Sequence, residues 1–379
     1  MTATTSATPT GAPGDRSAAL LEVRDLSVTF PTDRGPARVV HKLSYAVAHA
    51  ETLAIIGESG SGKTVSSRAV MGLLPPAARV TGSIRLNGQE LAGLREEEMR
   101  RHRGCDVAMV FQDPARSLNP TMKIGEQVTE AIRLQAPVPK RQARQQAVEL
   151  LGRVRLPSPE RRFHEYPHQL SGGMRQRVMI AIALAGSPKL LIADEATTAL
   201  DVTTQAQIMD LLLDLQEQYQ MGLVLISHDM GLAASYAQTV MVMYAGQAVE
   251  RAPVQELFTS VRMPYTKVLL EAVPKLELPP HSPLPVVSLR APDLTKTAPG
   301  CAFAPRCPRA ADDCKTQDPV LQEHDNQHAW ACFHPEEPAG APVLAETGRP
   351  LAAAAQEAAQ DAAARGSAAS GAAVREVGQ

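Results

Sequence analysis

Apolar and polar positions alternate closely from Leu21 to Phe30 and again from Ala37 to Val47, with the turn-rich cluster PTDRG between them. A period of two with many β-branched residues predicts two antiparallel strands. An uninterrupted apolar run, Thr52–Ile56, leads straight into GESGSGKT and then into helical spacing over Thr64–Leu73. This predicts a strand, a loop and a helix in that order. Ser83–Leu86 reads as a short strand closed by Asn87-Gly88, and Val107–Phe111 as a buried strand. From about 113 to 172 prolines break up the chain, and EQVTEAIRL and KRQARQQAVELLGRV between them have helical spacing, which predicts a helical insertion. Beyond it come a helix at about 173–185, a strand at Leu190–Ala193, a helix near Gln205–Tyr219 and a strand at Leu223–Ile226. Ile208, Leu211, Leu212 and Leu215 form one apolar stripe on the second of these helices. Strands alternating with helices imply a parallel sheet, so the fold class is α/β.

Composition narrows this reading. The chain has 379 residues, enough for two to three folding units, and its 38 Lys+Arg against 40 Asp+Glu leave a net charge of −2. No bulk positive field is present to hold nucleic acid, and 3% aromatic residues make a poor base-stacking surface. The most apolar stretch, Val178–Gly186, falls short of the roughly 20 residues of a membrane helix. Residues 1–19 lack a basic, then apolar, leader pattern and are expected to be a disordered tail. The main folding unit is expected over 20–262, followed by a Pro-rich and Cys-bearing region over 263–334 and an Ala-rich disordered tail over 335–379. Five Cys and no leader pattern argue for a reducing compartment.

Gly57, Glu58, Ser59, Gly60, Ser61, Gly62, Lys63 and Thr64 satisfy G-x-x-x-x-G-K-[ST] in full. Such a loop curls so that successive N–H groups and the next helix N-terminus face phosphate oxygens, with Lys63 placed for the β and γ phosphates and Thr64 for Mg²⁺. A strand ending in Asp194-Glu195 supplies a second acidic element. In P-loop enzymes an acid at that place holds Mg²⁺, and a neighbouring carboxylate can orient or deprotonate water, so Asp194 is given the metal and Glu195 the base role.

Between these elements lies Leu170-Ser171-Gly172-Gly173-Met174-Arg175-Gln176-Arg177, and here the sequence resembles an ATP-binding-cassette (ABC) ATPase. The resemblance implies a RecA-like parallel core, an antiparallel β subdomain and an inserted helical subdomain. It also implies that the Ser171 loop closes on ATP held by a second cassette. Gln112 in VFQDP matches the loop that meets Mg²⁺, water and the membrane partner; Asp201 in TTALD matches a dimer-interface loop; and His228 in LISHDM matches the γ-phosphate-sensing histidine. Phe30 is the candidate for stacking on adenine, although an isolated strand Phe equally suits the core.

FQDPARSLNP, YPHQLSGGMRQR, TTALDVTTQAQI, MPYTKVLLEAVP and CAFAPRCPRAADDC are similar to segments of the ATPase subunits of oligopeptide, dipeptide and nickel importers. Ala196 departs from that subfamily, which usually has Pro after the catalytic Glu, and SLRAPDLTKTAPG is a loose version of its Pro-Gly-rich run. The resemblance implies ATP hydrolysis driving peptide import, with two integral membrane permease subunits, a second ABC ATPase subunit (identical or related) and, indirectly, a solute-binding protein. It places the chain peripherally on the cytoplasmic face of the cell membrane. Nickel or another small solute is the alternative cargo. The competing class is a soluble ABC ATPase of DNA repair or translation, disfavoured by a single cassette and the near-neutral charge.

Cys301, Cys307, Cys314 and Cys332 are separated by five, six and seventeen residues. No tight C-x₂₋₄-C knuckle is present, and the spacing is not that of a ferredoxin, so chemistry alone leaves an iron–sulfur cluster, a zinc ion and unligated thiols open. The resemblance favours a [4Fe–4S] cluster with a structural role. Cys105, just before the Val107 strand, is read as a small buried hydrophobe.

Overall fold

A computed structural model of the chain describes residues 19–198, 200–272, 295 and 299–337. Most of the expected tails at 1–19 and 335–379, and most of the Pro-rich run after Ala272, lie outside these residues, but Ala19 opens the first strand and Glu336 is buried and bonded by Lys267, so these two positions belong to the fold and not to disordered tails.

The chain begins with β1 (Ala19–Phe30) and β2 (Ala37–Ala48), then β3 (Thr52–Ile56), α1 (Lys63–Val70), β4 (Arg79–Leu86), β5 (Gln89–Glu90), α2 (Glu96–His102) and β6 (Val107–Val110). The helical insertion follows as α3 (Pro114–Ser117), α4 (Ile124–Gln135), α5 (Lys140–Arg153) and α6 (Pro159–Arg162). Next come α7 (Gly172–Leu184), β7 (Leu190–Asp194), α8 (Val202–Tyr219), β8 (Gly222–Ser227), α9 (Met230–Tyr236), β9 (Thr239–Tyr244) and β10 (Gln247–Pro253). Finally there are α10 (Val254–Thr259), α11 (Pro264–Glu271), β11 (Gln322–Glu323) and β12 (Ala329–Trp330).

Two sheets result. An antiparallel sheet has the order β2-β1-β4-β5, and a larger one the order β11-β12-β10-β9-β3-β8-β7-β6. From β9 to β6 neighbouring strands are parallel, while β10, β12 and β11 add to the edge in antiparallel fashion. The central strands are buried on both faces, which is why they read as continuous apolar runs rather than alternating ones.

Side-chain alternation sorts these strands between separate cores. Ala108, Val110, Leu191, Ala193, Leu223 and Leu225 face the core made with α4, α5, α7 and α8. Met109, Leu190, Ile192, Val224 and Ile226 point the other way, into a core shared with the antiparallel sheet and α1. The stripe Ile208, Leu211, Leu212 and Leu215 is fully buried against the first core, as its spacing requires. A third core joins Ile56, Val240 and Val242 to α9, α10 and α11 and takes in Phe303 from the Cys-bearing region.

β3, β6, β7 and β8 run parallel and end at Ile56, Val110, Asp194 and Ser227. The loops after them therefore emerge at one end of the sheet, the usual location of a site in such folds.

Candidate functional site

The loop Gly57–Thr64 leaves β3 and turns into α1. Gly62 has φ +99°, a region that disfavours L side chains, and a Cβ on it would lie 2.7 Å from the Val39 carbonyl oxygen. Lys63 is buried, and its Nζ donates to the carbonyl oxygens of Gly57 at 2.6 Å and Glu58 at 2.9 Å. The amine is thus folded back on its own loop. Burial pulls its pKa down, against the opposing charges of Glu195, Asp194 and Glu58. Ser61 is buried, and its hydroxyl is among the described side-chain atoms with no hydrogen-bond partner. Val65, next after Thr64, packs against the core and adds no hydroxyl to the loop.

Thr64 and Asp194 are 130 residues apart, yet the Thr64 hydroxyl donates to Asp194 Oδ1 at 2.9 Å. Burial pushes the Asp194 carboxyl up, opposed by the Thr64 hydrogen bond and the Arg68 charge. Hydroxyl and carboxylate oxygens side by side are a hard-donor pair of the sort Mg²⁺ takes. Glu195 follows at φ +48°, its N–H bonded to the Ile226 carbonyl. Its carboxylate receives the Gln112 side-chain amide at 2.6 Å on Oε2, and His228 Nδ1 lies 3.5 Å from Oε1. Three loops therefore converge on one carboxylate.

The Ser171 hydroxyl caps α7 by accepting the Met174 N–H at 3.3 Å, and Ser171 and Gly172 are exposed. Asp201 caps α8 by accepting the Thr204 N–H at 3.0 Å, a backbone hydrogen bond that holds its carboxyl below the usual range. A Cβ on Gly173 would lie 2.6 Å from Thr204 Cγ2, so the starts of the two helices abut. Phe30 ends β1 half-buried against the core beneath the antiparallel sheet.

Cys301, Cys307, Cys314 and Cys332 all line one cavity of about 10 Å³, with Met263, Phe303 and His334. Burial pushes up the thiol pKa of Cys301, Cys307 and Cys332, the last to about 11. Cys105 departs from expectation: it is half-buried, and its thiol donates to Gln135 Oε1 at 2.9 Å, so it serves as a polar partner and not as a hydrophobe.

Sequence reasoning missed Arg306. Its guanidinium grips the Glu58 carboxylate with both ends, at 2.9 and 3.0 Å, although 248 residues separate the two. The only hint in the sequence is a carboxylate inside a loop otherwise suited to anions.

The ABC transporter family profile matches residues 40–198, and that of the oligopeptide/dipeptide transporter C-terminal region matches 249–314. OppD, an oligopeptide transport ATP-binding protein of Mycobacterium tuberculosis, is 49% identical over 318 residues. That match covers 84% of this chain and 52% of OppD, so the chain spans about half the length of that relative. DppD, a dipeptide transport ATP-binding protein of Escherichia coli, is 47% identical over 329 residues, covering 86% of this chain and all of DppD. The chain belongs to the ABC transporter ATP-binding family. The resemblance seen in the signature and loop motifs is thus the true one. Among solved cassettes, the dimeric post-hydrolysis structure of MJ0796 bound to ADP and Pi has a TM-score of 0.56 and 26% identity. It covers 62% of this chain and 98% of MJ0796. The parallel core, antiparallel sheet and helical insertion are those of an ABC cassette. No helix among the described residues is long and apolar enough to cross a membrane.

Proposed function

We propose that this ABC cassette is the ATP-hydrolysing subunit of an importer for peptides of the dipeptide or oligopeptide class, bound peripherally to the cytoplasmic face of the membrane. The observation that carries the reading is the convergence of Gln112, Glu195 and His228 beside the Thr64–Asp194 pair at one end of the sheet. In this reading ATP lies along Gly57–Thr64, with the N–H groups of Ser59, Gly60 and Gly62 facing the phosphates and that of Ser61 leaving the Glu58 carbonyl to join them. Lys63 exchanges the Gly57 and Glu58 carbonyls for the β and γ phosphates. Thr64 and Asp194 hold Mg²⁺, which supplies charge neutralisation at the transferring phosphoryl group when bound. Glu195 accepts the proton of the attacking water, with Gln112 and His228 fixing its two oxygens. Phe30 is the proposed adenine contact.

The exposed Ser171 loop and the exposed Val202 after Asp201 suit closure by a second cassette, identical or related. Two integral membrane subunits carry the solute, with a solute-binding protein acting through them. The family domain limits proposed are 20–262 for the cassette, with its helical subdomain at about 113–172, and 263–334 for the Cys-bearing region.

For the four thiols we propose a structural [4Fe–4S] cluster. Support comes from the donor set: four thiols on one cavity, none of them in a disulfide. Zinc is the second reading. Ligand atoms of Asp313, Cys314 and His334 lie within 4.8 Å of one another, a donor set of N, O and S that suits that ion.

The test is anaerobic affinity purification of the chain from detergent-solubilised membranes. Integral membrane subunits in the eluate, ATPase activity, and brown absorbance with iron and sulfide by elemental analysis are expected. Recovery only from the soluble fraction overturns the importer reading. A colourless, zinc-loaded or metal-free chain overturns the cluster.

A further inference from the structure

Glu58 is the second residue of the phosphate loop, and it places a carboxylate beside the very groups expected to hold a polyanion. Left uncompensated, that charge would repel a triphosphate, and the repulsion acts at short range where screening is weak. The structure supplies the compensation from the Cys-bearing region. Arg306 Nη1 and Nη2 donate to the two Glu58 oxygens at 2.9 and 3.0 Å, the parallel fork geometry that makes Arg–carboxylate pairs both strong and directional.

The Arg306 side chain is only 5% exposed, and its Nη1 also lies 3.2 Å from the Tyr244 hydroxyl. The backbone of the same loop residue is held as well: the Glu58 N–H donates to the Tyr265 hydroxyl at 3.0 Å. Tyr244, Tyr265 and Phe303 pack ring against ring beneath this contact, at centroid distances of 4.6 to 5.3 Å. Arg306 itself ends a short 3-10 turn, Ala304–Arg306, set between Cys301 and Cys307. The Ala304 N–H donates to the Cys301 carbonyl, and the Cys307 N–H to that of Ala304.

We infer that Arg306 is a positioning residue for the phosphate loop: by neutralising and aiming Glu58 it sets the affinity for ATP, and so makes that affinity depend on the four-Cys region. Arg306 touches no reacting atom in this scheme. It acts through Glu58, which hands the consequence to the loop backbone and to Lys63, whose amine already bonds the Glu58 carbonyl. The inference rests on the assignment of Gly57–Thr64 to ATP.

A double-mutant cycle on the full chain tests it, with equilibrium binding of ATP–Mg²⁺ and the steady-state KM and kcat as readouts. Arg306→Met is expected to weaken ATP binding and raise KM about tenfold, the scale of a lost charge-assisted pair, with kcat changed much less. Arg306→Lys recovers part of the loss, since it keeps the charge and loses the fork. Glu58→Gln alone has a small effect, and adding Arg306→Met to it costs little more, because no carboxylate is left to neutralise. Thermal melts of each variant, with binding measured well below the lowest melting temperature, separate this from loss of fold: a purely structural role would lower the melting temperature and leave the ATP affinity of the folded chain and the KM-against-kcat split unchanged. Wild-type chain that binds ATP while Arg306→Met binds it equally well, or equal losses with and without Glu58, overturns the inference alone. Wild-type chain that binds no ATP overturns both the inference and the nucleotide assignment beneath it.

Discussion

The amide of Gln112 and the carboxylate of Glu195 meet at 2.6 Å across the ends of β6 and β7, while His228 approaches the other carboxylate oxygen at 3.5 Å. In the proposed role of base, Glu195 is held from both sides, and the Gln112 amide orients it without adding charge. Replacing Glu195 by Gln keeps the shape and removes the proton acceptor. Turnover should fall by at least about 10²-fold, the scale of general base catalysis, with ATP binding retained and ATP-bound dimers accumulating. Single-turnover hydrolysis with size-exclusion chromatography checks both; unchanged turnover sinks the base assignment.

Asp194 is in tension with its own burial. Its folded-state carboxyl titrates above the unfolded value of about 3.9, so the folded chain holds that proton more tightly, and the group's contribution to stability falls as pH rises from the unfolded pKa through the folded one. At neutral pH the ionised side chain therefore costs stability in the nucleotide-free chain. Asp194→Asn, which can still accept the Thr64 hydroxyl, should melt higher than wild type at pH 7. The gap should close as pH drops below about 4. The same variant should need roughly tenfold more Mg²⁺ for half-maximal activity, or lose activity altogether. A lower melting point at pH 7 would contradict the burial argument.

The two acidic positions also show what a sequence can and cannot disclose. β7 was legible because five consecutive buried residues leave an apolar run ending in acids, and α8 because its stripe at Ile208, Leu211, Leu212 and Leu215 has helical period. The strand–loop–helix order around Lys63 was legible for the same reason. β9 is nearly as buried as β8, but β10 mixes buried and half-buried positions at the sheet edge and shows neither a continuous apolar run nor a clean alternation, so the pair is not legible in the sequence. The Thr64–Asp194 contact was inferable from motif logic, but the Arg306–Glu58 pair was not: it depends on how β10, α11 and the Cys-bearing turns stack on the third core. Cys105 was misread for a related reason, since its partner Gln135 comes from the end of α4, thirty residues away.

The Gly57–Thr64 loop leaves no room for a side chain at Gly62. With φ at +99° and the Val39 carbonyl oxygen 2.7 Å from any Cβ, Gly62→Ala imposes both backbone strain and a clash with backbone that cannot swing away. The strain falls on the residue just before Lys63. ATP affinity should drop by at least about tenfold, and the melting temperature should fall as well. Equilibrium binding of a fluorescent ATP analogue, paired with a melt, reads both. Wild-type affinity in the variant would mean that the loop adopts another conformation when it binds phosphate.

Phe303 carries the apolar link between the Cys-bearing region and the cassette. It is 1% exposed and lies 5.3 Å, centroid to centroid, from both Tyr244 and Tyr265. Truncation to Ala in a packed site of this kind typically costs about 3–5 kcal/mol, since the aromatic neighbours can only partly refill the space. If β12 still pairs with β10 at Glu250 and Arg251, the loss should appear as a second, lower-melting transition confined to the C-terminal region. Calorimetry together with limited proteolysis reads this directly: early cleavage between 299 and 337, with the residues before 260 still protected. A single unsplit transition at a lower temperature would show instead that the region and the cassette unfold as one cooperative unit.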